Sequence, residues 1–275
     1  MNKKILLIND MAGYGKVALS AMIPILSYLK YQIFNLPTAL VSNTLDYGKF
    51  EILETTPYMK NTLKVWNELN FSFDVISTGF LFSTQQTKLV YDFCKVQKEK
   101  GSLIIVDPIM GDNLKLYNGV SKDNVSYMKE MIKIGDVIMP NFTEATFISD
   151  YLIGKRVISK DEAKSLVYKL KKQGAKNIII TSTNIANEMH TIVYDSNKDD
   201  IYFNKYEEIP ASFPGTGDIF SSVFISEYLK NNDLNNSCIK AMNVVKKMIA
   251  LNISNVDKLK GIPLELHLNL LDEDK

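Results

Sequence analysis

The run Phe213-Pro214-Gly215-Thr216-Gly217-Asp218-Ile219-Phe220 sets a threonine between two glycines, then an aspartate, then the first residues of an apolar helix. Such a turn aims backbone N–H groups and the positive end of a helix dipole at one point, where an anion can bind. Asp218, beside that point, can take a proton. Gly215, Thr216 and Gly217 would neutralise charge on a migrating phosphoryl group while Asp218 activates an alcohol as general base. Aspartate is also favoured in the first turn of any helix, so a plain capping role fits the local sequence equally well.

Three more clusters carry polar chemistry. Asp107-Pro108-Ile109-Met110-Gly111-Asp112 follows an apolar strand. Its two carboxylates suit a hydrated Mg²⁺ and phosphates, although an ordinary strand-to-helix turn uses the same residue types. In Pro140-Asn141-Phe142-Thr143-Glu144, Asn141 is placed to cap a helix and Glu144 occupies the capping-box position. The same pair would suit phosphates and a metal, with Glu144 working through a metal-bound water. Asn9-Asp10-Met11-Ala12-Gly13-Tyr14-Gly15-Lys16 looks like a phosphate loop but fails the test, because Val17 follows Lys16 and Asp10 stands where a Walker glycine belongs. It fails as a dinucleotide fingerprint too: Ala18 takes the third glycine's place and no acidic residue closes the second strand. An organic substrate suits this loop better. His190 and His267 are isolated from any carboxylate or cysteine pattern, which argues against a triad or metal role.

These groups need a scaffold, and the hydrophobic pattern supplies one. Strand-like runs fall at Ile5–Ile8, Gln32–Leu36, Asp74–Ser77, Leu103–Val106, Asp136–Met139 and Asn177–Thr181. Helical spacing falls at Ala18–Leu29, Thr56–Asn67, Gln85–Lys98, Asn124–Lys133 and Lys160–Gln173. The alternation predicts parallel βαβ units, and the continuous apolar strands predict a sheet covered on both faces. Thr191–Asp195 and Asp200–Tyr206 alternate in pattern and are joined by a polar turn, an antiparallel edge hairpin. Helices near Gly217–Leu229 and Leu234–Asn252 close the chain, followed by a polar tail. With no linker or repeat, residues 1–275 read as one domain. In open α/β sheets, ligands sit beyond the carboxyl ends of strands. The loops there are Asn9–Lys16, Thr38–Gly48, Gly79–Ser83, Asp107–Tyr117, Pro140–Glu144, Thr181-Ser182 and Pro214–Asp218, which together suggest one site.

Composition sets the outer bounds. The 275 residues are 46% hydrophobic and 23% charged with a net charge of +1, so nothing favours nucleic acid or an anionic membrane as partner. Cys94 and Cys238 lie far apart inside predicted helices, without disulfide or metal spacing. No signal peptide or membrane span is expected, and a cytoplasmic enzyme is the default.

Taken together, the motifs resemble those of the pyridoxal (pyridoxine/pyridoxamine) kinases of the ribokinase-like superfamily, over almost the whole chain. Gly215-Thr216-Gly217-Asp218 matches the superfamily's anion-hole and base motif. Asp107–Asp112 matches Asp-Pro-Val-Met-Gly-Asp, Asn141 and Glu144 match Asn-x-x-Glu, and Ser42–Gly48 is similar to Ser-Asn-His-Thr-x-Tyr-Gly. Where the family has His-Thr this chain has Thr44-Leu45, and Asn9 stands where serine is frequent. The resemblance implies a three-layer α/β/α sandwich, mostly parallel with an antiparallel edge hairpin, that uses MgATP to phosphorylate a B6 vitamer, and a homodimer. A monovalent cation is left open.

The residue roles it implies are these. Asp218 takes the proton of the 5′-hydroxymethyl group and Gly215 to Gly217 hold the γ-phosphate. Asp107, Asn141 and Glu144 position phosphate and Mg²⁺, with Asp107 and Glu144 on the metal side. Thr181 and Ser182 run along the ATP phosphates. Asp112 and Tyr117 belong to a loop, Gly111–Gly119, that orders over ATP. Phe213 and the turn Asn243–Lys247 flank the adenine, while Asn9, Thr44, Tyr47 and Phe80 line the pyridine pocket.

A hydroxymethylpyrimidine kinase of the same superfamily would use the same base on a similar flat ring. A non-catalytic pyridoxal phosphate or nucleotide binder is a third possibility, disfavoured by the intact Asp218 and glycines. A sugar kinase is a fourth, disfavoured because Thr38–Thr55 is too short for a multi-stranded lid.

Overall fold

The computed structural model describes residues 3–117 and 122–272. In chain order the elements begin β1 (Lys4–Tyr14), α1 (Leu19–Tyr28), β2 (Gln32–Asn43), β3 (Ile52–Glu54), α2 (Thr56–Glu68), β4 (Val75–Thr78) and α3 (Thr84–Glu99). There follow β5 (Leu103–Val106), β6 (Gly111–Asp112), β7 (Lys115–Leu116), α4 (Lys122–Ile134), β8 (Val137–Ile138), α5 (Phe142–Ser149) and α6 (Lys160–Lys172). The last are β9 (Asn177–Ile185), β10 (Glu188–Asp195), β11 (Asp200–Tyr206), α7 (Thr216–Asn231) and α8 (Leu234–Asn252). The chain forms two compact units, one from residues 1–55 with 209–275, the other from 56–208.

In the first unit β1 pairs parallel with β2, and β2 antiparallel with β3. Ile5 to Ile8 are fully buried, as a strand covered on both faces requires. Helix α7 packs against α1 and α8. It is buried from Ile219 through Ser226, and the rings of Phe220, Phe224 and Tyr228 stack along it. In the second unit β4, β5, β8 and β9 pair in parallel, and β9–β10–β11 continue antiparallel. The expected mostly parallel sheet and the hairpin are both borne out. Cys94 and Cys238 are buried in α3 and α8.

Several segments differ from expectation. β1 and β2 run well past their apolar runs, so Asn9–Tyr14 and Thr38–Asn43 are strand rather than loop. Pairing supports these polar stretches, since Met11 faces Leu40 and Tyr14 faces Asn43 across the ladder. β9 likewise carries Thr181 and Ser182 inside the strand. Within Thr38–Thr55 one short strand, β3, adds to β2. The polar tail is a pair of 3₁₀ turns, Leu264–Leu266 and Leu268–Leu271, that bury Leu264 and Leu271. Among the described residues no helix is long and apolar enough to cross a membrane.

Helix starts divide into two kinds. Ser83, Asn141, Ser159 and Asp233 cap α3, α5, α6 and α8, each side chain accepting a first-turn N–H. Helix α7 begins at Gly215, which has no side chain to offer. Its opening amides therefore keep their capacity to bind something else.

Candidate active site

In the first unit the start of α7 is held against the loop after β1. Gly215 has φ 86°, and a Cβ there would lie 2.1 Å from the Lys16 carbonyl oxygen, so the position admits only glycine. Gly217 differs. It is exposed, its φ is not left-handed, and a Cβ would meet nothing within 4 Å among the described residues. The fold does not require glycine at 217, so open space above that amide is the feature to explain.

Asp218 is half-buried one turn into α7. Its Oδ2 accepts the Ala18 N–H at 2.7 Å and its Oδ1 the Asn9 Nδ2 at 3.4 Å. Ala18 holds φ 48°, unusual for a residue with a side chain, and its amide meets the carboxylate from that conformation. Burial pushes the Asp218 carboxyl up to about 6, against the opposing pull of the Ala18 and Asn9 donors. Each carboxylate oxygen has lone pairs left for a substrate hydroxyl. Asp218 is thus a carboxyl poised near neutrality, a value suited to taking a proton from an alcohol.

Asn9 is buried and committed on both sides. Besides Asp218 its Nδ2 lies 3.8 Å from Met22 Sδ, and its Oδ1 accepts the Asp10 N–H at 3.0 Å. Thr44 is buried, with its hydroxyl donating to the Leu259 carbonyl at 2.6 Å. Tyr47 donates to Asp257 at 2.6 Å, and its ring lies 5.9 Å from that of Tyr14. Their hydroxyls fasten the segment after α8 to the β2–β3 connection. Phe213 is buried, and Thr216 donates to its carbonyl at 3.2 Å. Asn243 sits on an exposed turn inside α8 rather than in a loop.

In the second unit the phosphate-type motifs converge. Asn141 and Glu144 form the expected capping box: Glu144 N–H donates to Asn141 Oδ1 at 3.0 Å and Asn141 N–H to Glu144 Oε2 at 2.8 Å. Glu144 does more. Its Oε1 accepts the N–H of Met110 at 3.0 Å and of Gly111 at 3.4 Å, and Asn141 Nδ2 donates to the Gly111 carbonyl at 2.8 Å. The glutamate ties the loop after β5 to the start of α5. Thr143 adds a bond from Leu114 N–H, closing the β6–β7 hairpin that carries Asp112 and leads to the exposed Tyr117. Gly119, the far end of the expected ATP loop, lies outside the described residues. Asn141 also bridges Thr181, whose N–H donates to the Pro140 carbonyl at 3.1 Å, and the exposed Ser182 follows at φ 57°. Phe80 lies just after β4, edge-on to Phe82 at 6.3 Å.

Burial drives the Glu144 carboxyl well above its usual value, and the Asp107 charge adds to the rise against three opposing amides. Two carboxyls in one low-dielectric place are costly, and a divalent cation would relieve them. Among the described residues no three His, Cys, Asp or Glu side chains form a metal-holding group.

Sequence reading assigned the Asn9–Lys16 loop to an organic substrate without singling out Asp10. It follows Asn9 in β1, is half-buried, and is pushed up to about 7 by burial and then by the Asp218 charge. The only local signal was its failure to be a Walker glycine.

The phosphomethylpyrimidine kinase family model matches residues 25–262. The chain belongs to this family. It is 29% identical over 266 residues to a pyridoxal kinase of Dictyostelium discoideum, covering 90% of this chain and 86% of that one. It is 30% identical over 218 residues to a hydroxymethylpyrimidine/phosphomethylpyrimidine kinase of Aquifex aeolicus, covering 76% of this chain and 78% of that one. A Bacteroides thetaiotaomicron crystal structure, provisionally assigned as a phosphomethylpyrimidine kinase and solved with pyridoxal, superposes with a TM-score of 0.94. It is 32% identical and covers 100% of this chain and 97% of its own. The expected kinship with the ribokinase-like pyridoxal kinases, and with it the α/β fold, is borne out. The chain is a kinase of this pyridoxal and phosphomethylpyrimidine group.

Proposed function

We propose that the protein transfers the γ-phosphoryl group of ATP to the 5′-hydroxymethyl group of a B6 vitamer, with residues 1–275 acting as one catalytic domain and the chain working as a homodimer. One observation carries the reading: Asp218, lifted to about 6, follows directly on the uncapped amides of α7 at the open Gly217. Asp218 takes the hydroxyl proton as the oxygen attacks phosphorus. The Gly215, Thr216 and Gly217 amides hold the charge of the migrating group. The motifs of the second unit serve the nucleotide: Asp107, Asn141, Thr181 and Ser182 the phosphates, Asp112 and Tyr117 the covering loop. Mg²⁺, when bound near Asp107, would neutralise phosphate charge. Glu144, its oxygens occupied by amides, acts on that place through its charge and through the loop it ties down.

Asn9 supports the ring pocket by holding Asp218 and Asp10, and Thr44 and Tyr47 by fixing its wall. Phe80 is assigned to the vitamer ring, and Phe213 and Asn243 to the adenine side. The pyridoxal kinase relative and the pyridoxal-holding Bacteroides structure favour the vitamer. The Aquifex relative supports hydroxymethylpyrimidine as the second reading.

The test is direct. Purified protein is incubated with MgATP and, separately, pyridoxal, pyridoxine, pyridoxamine and hydroxymethylpyrimidine, and the phosphorylated products are quantified. Turnover of the pyrimidine alone would hand the function to the second reading. Turnover of none would overturn both.

A further inference from the structure

We propose that Asp10 is a specificity residue that recognises a ring nitrogen of the substrate by sharing a single proton with it. The inference rests on the function proposed above and names the chemistry by which the acceptor pocket reads its ring.

Position comes first. The β1–β2 ladder slips between Asn9 and Met11, where Asn9 pairs with Pro37 and Met11 with Leu40. Asp10 sits at this irregularity, and such places re-aim side chains beside functional sites. Asn9 then fixes it. One buried amide side chain accepts the Asp10 N–H through its oxygen and donates to Asp218 through its nitrogen. Specificity residue and base are thereby held on one support.

The donor inventory separates the two acids. Asp218 has the Ala18 amide and Asn9. Among the described residues no other side chain or amide donates to the Asp10 carboxyl. Its own backbone N–H is the one group that pulls its proton affinity down. Lys16, six residues along the chain, is paired with Glu265. A carboxyl so enclosed and so poor in partners wants a proton that a ligand can also hold. A pyridine-type nitrogen titrates in the same region as this acid. The pair holds one proton in either arrangement: Asp10 O–H donating to a bare ring nitrogen, or a ring N–H⁺ donating to the carboxylate. A sugar hydroxyl offers no such match, and a ring bearing C–H at that place leaves the acid without its partner.

The experiment compares pyridoxine with its 1-deaza analogue, in which C–H replaces the ring nitrogen. Binding of each is measured by calorimetry at neutral pH, and turnover is measured in parallel. The unaltered protein should bind pyridoxine about 10- to 100-fold more tightly than the analogue, because a buried group left unpaired is penalised. Asp10→Ala should bring that ratio to within about threefold, and Asp10→Asn, which keeps an N–H for a bare ring nitrogen, should retain part of it. A ratio unchanged in Asp10→Ala overturns the inference. So does an unaltered protein that binds both compounds equally, a result that needs no variant to fold. Discrimination in binding without phosphorylation would sink the proposed function and leave the inference standing. Phosphorylation without discrimination would do the reverse.

Discussion

Asp218→Asn should remove two things together: most of the rate and the acid limb of the pH–rate profile. With its carboxyl at about 6, roughly one Asp218 in eleven is ionised at pH 5, so kcat/KM there should stand about tenfold below its plateau. At pH 4 the deficit should be about a hundredfold. An aspartate at the ordinary value of 3.8 would lose only about 6% of its ionised form at pH 5, so the two cases separate cleanly. Asp10, at about 7, titrates nearby, and part of its rise comes from the charge on Asp218. The limb therefore belongs to the pair, and Asp10→Asn, which keeps Asp218, should retain an acid limb displaced by the loss of the neighbouring charge, whereas Asp218→Asn should lose it. The assay is steady-state formation of phosphorylated vitamer from about pH 4 to about pH 9. Titration of the substrate itself persists in every variant, so the limb lost in Asp218→Asn is the enzyme's own. Loss of base catalysis should cost kcat about 10²–10⁴-fold with ATP affinity unchanged. A variant within tenfold of the unaltered kcat, or an unaltered profile flat to pH 5, would reduce Asp218 to a helix cap.

The glycines of α7 should part company. Gly215→Ala, with its Cβ forced onto the Lys16 carbonyl and φ 86°, should lower stability by several kcal/mol, about 1–3 from the backbone conformation alone, seen as a large drop in melting temperature. Gly217→Ala should leave stability within about 0.5 kcal/mol yet cut kcat/KM at least about tenfold, if an anion approaches that amide. Glu144→Ala orphans the amides of Met110, Gly111 and Asn141 and should cost about 2–4 kcal/mol in chemical denaturation. Asp10 makes a stability prediction with a definite sign. Its folded value is raised, so the folded state binds its proton more tightly, and stability is lost as pH rises from about 4 through about 7. Asp10→Asn should thus raise stability at pH 8 by about 1 kcal/mol after allowance for residual hydration, seen as a higher melting temperature, and leave it unchanged at pH 4.

What could be read from the sequence was local. The capping box of Asn141 and Glu144, the hairpin ending at Tyr206 and the limits of α8 follow from spacing along a few residues, and the structure reproduces them. What could not be read was non-local. Asn9 to Tyr14 carry no strand pattern, and they are strand because β2 pairs with Asn9, Met11, Ala12 and Tyr14 around the slip at Asp10. Glu144 looked like a cap with a spare carboxylate. The Met110 and Gly111 amides that occupy it come from more than thirty residues earlier, and no local pattern announces them.

The carboxylates of this protein differ less in kind than in the donors that reach them. Glu144 is buried most deeply, and amides from two segments surround it. Those bonds hold a loop, and little of its oxygen is left for chemistry. Asp218 has an amide and an Asn9 donor, enough to fix its orientation while burial keeps its proton affinity near neutral. Asp10 has its own amide and a negative neighbour. Along this series the protein supplies less and a ligand has more to supply, from an acid that holds structure, through the proposed base, to the acid proposed to read the substrate. The same donor count explains why sequence identifies the middle member most easily. Asp218 lies in a short motif with its glycines, whereas the partners of Glu144 and the poverty of Asp10 exist only once the chain has folded.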